Sequence, residues 1–157
     1  MAHTRGRMVA TNAKGIQLGA NYLKESNRIA LIGNGGNLAI AQHMASDIYR
    51  HTNKFCFAPD AINTTALGGD GDWKEQWIDY SEHVADLIIA ITCRINSPMV
   101  KVLEQTPTKV LMIAPKKHEF LETIALDVET YHEFECKALW TIYMLMEYNG
   151  VELPKLP

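Results

Sequence analysis

Short apolar runs, separated by longer stretches with helical spacing, form the basic pattern of this chain. The runs at 28–33, 86–92 and 108–114 are continuous rather than alternating, as strands covered on both faces of a parallel sheet require. A shorter fourth run lies at 54–57, and 126–128 is expected to add an edge strand. The pattern therefore predicts about five short strands.

Helical patterns fill the intervals between these strands. In 37–50 the apolar residues recur at helical spacing, and Asn37 is placed to cap the helix. Ser97 followed by Pro98 opens another helix, because proline at the first turn loses no needed N–H. The remaining helices are predicted over 8–24, 72–84, 116–125 and 132–148, the last one stopped by an Asn-Gly pair.

The alternation of strand and helix predicts an α/β fold with a doubly wound, flavodoxin-like parallel sheet flanked by helices. No internal repeat and no long linker divides the sequence. We therefore expect one domain over 1–157, with an N-terminal helix in 1–27, an α/β core in 28–149 and a tail in 150–157.

Composition narrows the class of protein further. The 157 residues are 47% hydrophobic, enough for one packed core, and the net charge of −3 provides no basic field for nucleic acid or an anionic membrane. No apolar run is long enough to span a bilayer, and the polar segment 1–7 has no secretory signal, so a cytoplasmic location is expected. Cys56, Cys93 and Cys136 are odd in number and widely spaced, which favours reduced thiols.

The most informative segment is the glycine loop, Gly33–Asn37, which lies between a buried strand and a helix. Glycines let the backbone approach a ligand, and the helix N-terminus offers free N–H groups and partial positive charge. Phosphate is the natural ligand, with Asn34, Gly35, Gly36 and Asn37 as candidate contacts; a tight turn that binds nothing is the alternative. The loop has neither a Walker sequence nor the dinucleotide glycine spacing.

Three segments together carry a family resemblance. The glycine loop is followed by His43 and Asp47, the strand at 86–92 continues into a polar loop, and Gly69 and Asp70 precede an aromatic helix. They resemble the Gly-Asn-Gly-Gly-Ser signature, the Ser/Thr-rich phosphate loop and the Asn-Asp-Phe-Gly segment of the sugar-isomerase (SIS) family, in its phosphoheptose isomerase branch. The resemblance covers about residues 28–148 and implies an SIS-type domain.

The resemblance implies that a phosphosugar also contacts Asp70, Thr92, Cys93, Arg94 and Ser97. The family's Ser-Thr-Ser is Thr-Cys-Arg at 92–94 here, so fewer hydroxyl donors are available. Arg94 could replace them with a bidentate, charge-assisted contact, or it could point to solvent or pair with a carboxylate.

His43 and Asp47 lie four residues apart on one helix face, a spacing that suits two metal ligands, a base with its orienting partner, or a plain surface pair. In the resemblance, Asp47 replaces the acid/base glutamate. On the last helix the family's Gln and Glu correspond to His132 and Glu133, and its catalytic His to Trp140, which could equally be core or interface packing. Asp47, His43, His132 and Glu133 are thus the candidate catalytic residues. His43, Asp47 and His132, the last from a nearby or neighbouring chain, form a candidate zinc set.

The resemblance implies a phosphoheptose-like ketose–aldose isomerase with an altered active site, in which Asp47 removes a proton beside the carbonyl. The missing histidine and the altered phosphate loop leave a second hypothesis open, namely a non-catalytic, regulatory SIS module that binds a phosphosugar or a protein partner. Members of this branch are four-chain assemblies, and the apolar last helix needs cover, so a homotetramer is expected.

Overall fold

The central feature of the fold is a parallel sheet of five strands in the order β2-β1-β3-β4-β5. The computed structural model describes residues 13–62, 64 and 71–156. The strands are β1 (Arg28–Gly33), β2 (Phe55–Phe57), β3 (Leu87–Ile91), β4 (Lys109–Ala114) and β5 (Glu122–Ala125). All four strand pairings are parallel, which confirms the predicted doubly wound, flavodoxin-like α/β architecture.

Helices cover both faces of the sheet. They are α1 (Ala13–Glu25), α2 (Gly36–Thr52), α3 (Trp73–Val84), α4 (Pro98–Leu103) and α5 (Tyr131–Tyr148). One face packs against α1, α2 and α5, and the other packs against α3 and α4. The start of the predicted first helix, 8–12, lies outside the described residues. Among the described helices, none combines the length and the apolar character needed to cross a membrane.

The two faces explain why the strand sequences are continuously apolar. In β1 and β3, Leu31 and Ile89 belong to the core on one face, while Ala30 and Ile88 belong to the core on the other. All four are fully buried. Burial of each Leu or Ile side chain stabilises the fold by about 1.5–3 kcal/mol, so both faces must be apolar in the central strands.

The helix caps confirm one prediction and correct another. Ser97 caps α4 with its side chain, and Pro98 occupies the first helical position as predicted. For α2, however, the N-cap residue is Gly35, which makes no side-chain cap, and Asn37 is buried in the first turn. The helix begins early because Gly35 adopts φ 59, a left-handed value that glycine accepts without strain.

The segment after β4 differs from the prediction. Residues 116–121 form a loop instead of the predicted helix, and the edge strand is β5 at 122–125, not 126–128. The buried His118 explains the loop, because its Nδ1 accepts hydrogen bonds from the N–H groups of Phe120 and Leu121 at 3.2 and 3.3 Å. Its Nε2 lies 3.0 Å from Glu104 Oε1, which ties the loop to the end of α4.

A single carboxylate joins the amino ends of β1 and β3. Asp86 accepts hydrogen bonds from the N–H groups of Asn27 and Arg28, both at 3.1 Å, and from the Arg28 guanidinium at 2.7 Å. The Arg28 hydrogen bond is the main reason that the pKa of Asp86 lies below its ordinary value. This group of contacts, the Asp86 clasp, lies at the amino ends of β1 and β3, whereas the glycine loop lies at the carboxyl end of β1.

Candidate anion-binding site

A cavity of about 440 Å³ lies at the carboxyl ends of β1 and β3. The glycine loop, the start of α3, the loop after β3 and the start of α5 form its walls. Its lining residues are Asn34, Gly35, Asn37, Asp72, Lys74, Thr92, Cys93, Arg94, Ser97, Pro98, Met99, Tyr131 and Glu135. We call this the inner cavity. Its position is the one where open α/β sheets bind ligands.

The inner cavity gathers most of the residues predicted to bind phosphate. Of the residues predicted to contact phosphate, those that line the cavity are Asn34, Gly35, Asn37, Thr92, Cys93, Arg94 and Ser97. Gly36 lies beside it, in contact with the Glu135 carboxylate. Asp70 lies outside the described residues, so its predicted contact remains a prediction.

The glycine loop brings β1 and α2 very close together. A Cβ atom on Gly33 would lie 2.5 Å from the carbonyl oxygen of Asn37, so no side chain fits there. The N–H groups of Gly35 and Gly36 donate to no acceptor in the described part of the chain. Free N–H groups at the N-terminus of a 17-residue helix attract an anion.

The loop after β3 offers donors from the other side. Thr92 Oγ1 accepts the N–H of Arg94 and donates to its carbonyl oxygen, both at 3.1 Å, which folds the loop back on itself. The N–H groups of Ile95 and Asn96 have no acceptor within residues 13–62, 64 and 71–156. The guanidinium of Arg94 is exposed and makes no ion pair with a described residue. Arg94 therefore pairs with no carboxylate among the described residues, which do not include Asp70.

Carboxylates balance the cations of the inner cavity. Lys74 Nζ lies 3.5 Å from Asp72 Oδ1 and 4.9 Å from the centre of the Trp73 ring. Glu135 packs so closely on Gly36 that a methyl group there would overlap its carboxylate. Sequence reasoning missed Glu135. Its only signal is its position one helical turn after Tyr131, on the face of α5 that lines the cavity.

Asn37 links the two loops inside the protein. Its side chain is 6% exposed, and its Nδ2 donates to Cys93 Sγ at 3.6 Å. Its Oδ1 is buried and has no hydrogen-bond partner among the described residues. A buried polar atom without a partner is rare in folded proteins and often marks a functional site.

His43 and Asp47 belong to a separate polar network further along α2. The hydroxyl of Tyr143, on α5, donates to Asp47 Oδ2 at 2.6 Å and lies 3.0 Å from His43 Nε2. Since the phenolic proton goes to Asp47, His43 Nε2 must be the donor to the phenolic oxygen. Burial, and then the hydrogen bond to Asp47, raise the pKa of Tyr143 to about 12. Neither His43 nor Asp47 lines the inner cavity.

The residues of the candidate zinc set do not come together in one chain. Among the described residues, which include His43, Asp47 and His132, no three His, Cys, Asp or Glu side chains are grouped to hold a metal. His132 is exposed on the first turn of α5. The donor set therefore does not fit zinc within a single chain.

The other residues singled out on α5 have structural contacts. Glu133 accepts the N–H of Glu129 at 3.0 Å and pairs with Lys137 at 2.7 Å, and these contacts hold the pKa of Glu133 below its ordinary value. Glu133 thereby completes the N-terminal cap that Thr130 begins. Trp140 is partly buried and packs against the core beside α1, α2 and α5.

The fold of this chain is similar to that of several solved structures. No family model and no curated protein sequence matches the chain. Solved structures do match along nearly its whole length. Phosphoheptose isomerase from Neisseria gonorrhoeae has a TM-score of 0.72 at 15% identity, over 94% of this chain and 92% of that one. A phosphoheptose isomerase from Francisella tularensis has a TM-score of 0.72 at 12% identity, over 93% and 90%.

A third similar structure comes from Methanococcus jannaschii, with a TM-score of 0.60 at 15% identity over 92% of this chain and 84% of that one. From that structure a function as 3-hexulose-6-phosphate isomerase was inferred. At these identities the likeness concerns the fold. The chain has the SIS-type fold of phosphoheptose isomerases, and the expectation drawn from its motifs is confirmed at that level.

Proposed function

We propose that the protein binds a sugar phosphate in the inner cavity and is a ketose–aldose isomerase of the phosphoheptose type with an altered active site. The observation that carries the proposal is the meeting of two donor loops in one cavity at the carboxyl ends of β1 and β3. The fold shared with phosphoheptose isomerases supports it.

The phosphate is assigned to the space between the two loops. The free N–H groups of Gly35 and Gly36 lie on one side, and Arg94 and the Ser97 hydroxyl lie on the other. Charge-assisted hydrogen bonds from a guanidinium are about twice as strong as neutral ones. In this proposal Arg94 compensates for the hydroxyl groups that the phosphate loop lacks.

The proton transfer needs a carboxylate in contact with the sugar. Isomerisation removes a proton from the carbon beside the carbonyl and returns it to the neighbouring carbon through an enediol. Glu135 faces the inner cavity, whereas Asp47 is held by Tyr143 outside it. Within one chain we therefore assign the base to Glu135. Asp47 and His43 remain the candidates if a neighbouring chain of a homotetramer brings them to the cavity.

Turnover and binding should be measured together. The protein is incubated with sedoheptulose 7-phosphate in D₂O, with aldose formation and deuterium incorporation followed by NMR and binding followed by calorimetry. Glu135→Gln should lower turnover about 100-fold or more while binding persists, because general-base catalysis contributes 10²–10⁴-fold. Glu129→Gln, an exposed carboxylate that does not line the cavity, is the control. Turnover lost only in Asp47→Asn would transfer the role of base to Asp47.

A second candidate function is a non-catalytic module that binds a phosphosugar or a protein partner. Trp140, at the position of the family's catalytic histidine, favours it because an indole cannot serve as a general acid or base at neutral pH. Binding of sedoheptulose 7-phosphate without deuterium incorporation in the wild type would support this candidate over the isomerase. Light scattering tests the proposed homotetramer in the same samples, and a monomer at micromolar concentration would reject it.

A further inference from the structure

A second cavity of about 530 Å³ adjoins the first, between the loop after β3 and the segment after β4. We call it the outer cavity. It shares the wall residues Cys93, Arg94, Ser97 and Pro98 with the inner cavity. Pro115 and Lys116 close its far side. The loop after β3, which carries Arg94, therefore separates the inner cavity from the outer cavity, and Arg94 lines both.

The two cavities differ in charge. The inner cavity has two cations and two carboxylates, and Lys74 is already paired with Asp72. The outer cavity has Arg94 and Lys116 and no carboxylate among its lining residues. Within the described part of the chain, neither side chain makes an ion pair or a hydrogen bond. Two cations that line one concave space without a counter-charge attract an anion.

The backbone next to Lys116 is held in place by contacts of the loop that carries it. The following residues are held by His118, which accepts two backbone N–H groups and meets Glu104 at 3.0 Å. His118 is buried, and its own N–H donates to Thr123 Oγ1 at 3.3 Å. A loop fastened in this way has less backbone freedom to lose when a ligand binds, so only the exposed Lys116 side chain has to be ordered.

We propose that the outer cavity is a second anion site and that the ligand is a sugar with two phosphate groups, one in each cavity, with Arg94 between them. The inference rests on the proposed function, which places the first phosphate in the inner cavity. It adds the class of ligand, a sugar bisphosphate, and assigns Lys116 as the residue that selects it. A bisphosphate with C1 phosphorylated serves as a binding probe only, because isomerisation turns C1 into the aldehyde carbon.

Calorimetric titrations at constant ionic strength test the inference. Fructose 1,6-bisphosphate, fructose 6-phosphate and fructose 1-phosphate are compared on the wild type, Lys116→Gln and Lys117→Gln. Lys117 is the matched control, because it is exposed and lines neither cavity. The wild type should bind the bisphosphate about tenfold tighter than either monophosphate, the effect of one charged hydrogen bond. Lys116→Gln should remove this preference and leave monophosphate affinity unchanged, while Lys117→Gln retains it.

The other outcomes overturn the inference in distinguishable ways. If the monophosphates bind as tightly as the bisphosphate, the outer cavity is not an anion site, while the proposed function stands. If Lys116→Gln weakens monophosphate binding equally, a single phosphate occupies the outer cavity. If both lysine variants have the same effect, the attraction is general surface charge. If no sugar phosphate binds, the proposed function fails together with this inference.

Discussion

The first turn of α2 and the segment further along that carries His43 and Asp47 differ in their hydrogen bonding. At the first turn, the N–H groups of Gly35 and Gly36 have no acceptor in the described residues, and Asn37 Oδ1 has no partner. Further along the helix, Asp47 accepts a hydrogen bond from the Tyr143 hydroxyl, and its Oδ1 lies 3.8 Å from Arg50 Nη1. His43 donates to the same tyrosine. The start of the helix has polar groups without partners in the described residues, whereas Asp47 and His43 Nε2 are joined by Tyr143.

The difference shows how to distinguish a binding site from a structural network. Polar groups that the chain leaves without partners beside a cavity are available to a ligand, which replaces the water that otherwise bonds to them. Polar groups that satisfy one another gain nothing from a ligand. Asp47 is 14% exposed and accepts the Tyr143 hydroxyl, so within one chain it links α2 to α5.

The largest expected effect on stability comes from Gly33→Ala, in the glycine loop before α2. The new Cβ would meet the Asn37 backbone at 2.5 Å, and because backbone atoms cannot rotate away, β1 and α2 must separate. We expect a loss of about 3 kcal/mol or more in the free energy of unfolding, measured with urea. Gly35→Ala is the comparison, because nothing lies within 4 Å of its Cβ. That variant should lose less, about 1–3 kcal/mol, through backbone strain alone at φ 59 and ψ −127.

These two variants also separate close approach from backbone strain. If Gly35→Ala is as destabilising as Gly33→Ala, the glycine loop is set by dihedral angles rather than by the contact between β1 and α2.

A smaller effect is expected from Glu135→Gln, tested with inorganic phosphate alone. The carboxylate lies beside Gly36, at the edge of the proposed phosphate site and facing the inner cavity, so it repels the phosphate. Neutralising it should tighten phosphate binding about tenfold, measured by calorimetry. Glu147→Gln, an exposed residue near the end of the same helix, should leave the affinity unchanged. An unchanged affinity in Glu135→Gln would place the phosphate away from the first turn of α2.

The smallest effect on stability is expected where Tyr143 contacts Asp47. Tyr143→Phe removes the hydrogen bond to Asp47 and should cost about 1 kcal/mol near pH 8. Because the pKa of Tyr143 is raised to about 12 in the folded protein, its contribution is present below pH 10. That contribution is lost as the pH rises towards 12, since the unfolded chain gives up its proton first.

The wild type should therefore lose its advantage over Tyr143→Phe between pH 10 and pH 12. Urea unfolding at pH 8 and pH 11 measures it. Tyr148→Phe, an exposed residue at the end of α5, is the control and should match the wild type at both values. A constant difference between wild type and Tyr143→Phe would contradict the assigned hydrogen bond.

Much of the fold could be predicted because its central strands are buried on both faces. β1, β3 and β4 show continuous apolar runs for this reason, and their parallel direction follows from the alternation with helices. β5 was misplaced because only two of its four residues are buried, which leaves no clear run. The helix predicted over 116–125 failed because His118 binds backbone N–H groups, a contact that hydrophobic spacing does not reveal.

The candidate site was only half predictable. The glycine loop and the loop after β3 have local sequence signals, and both line the inner cavity. Glu135 and Lys116 have none, because their importance arises from chain segments that only the tertiary fold brings together. The i, i+4 spacing of His43 and Asp47 fits a metal site and a structural pair equally well, and only the contact with Tyr143 separates the two.

The Asp86 clasp has a consequence for how the chain reaches its fold. Parallel strands cannot pair through a hairpin, and Asp86 meets Asn27 across 59 residues of chain. Such non-local closure is slow, and a shift by one residue would exchange the two faces of a strand. The carboxylate recognises two successive N–H groups and one guanidinium, so it fits only one alignment of β1 with β3. We expect Asp86→Asn to slow refolding, measured by stopped flow, through encounters in which the central strands meet out of register.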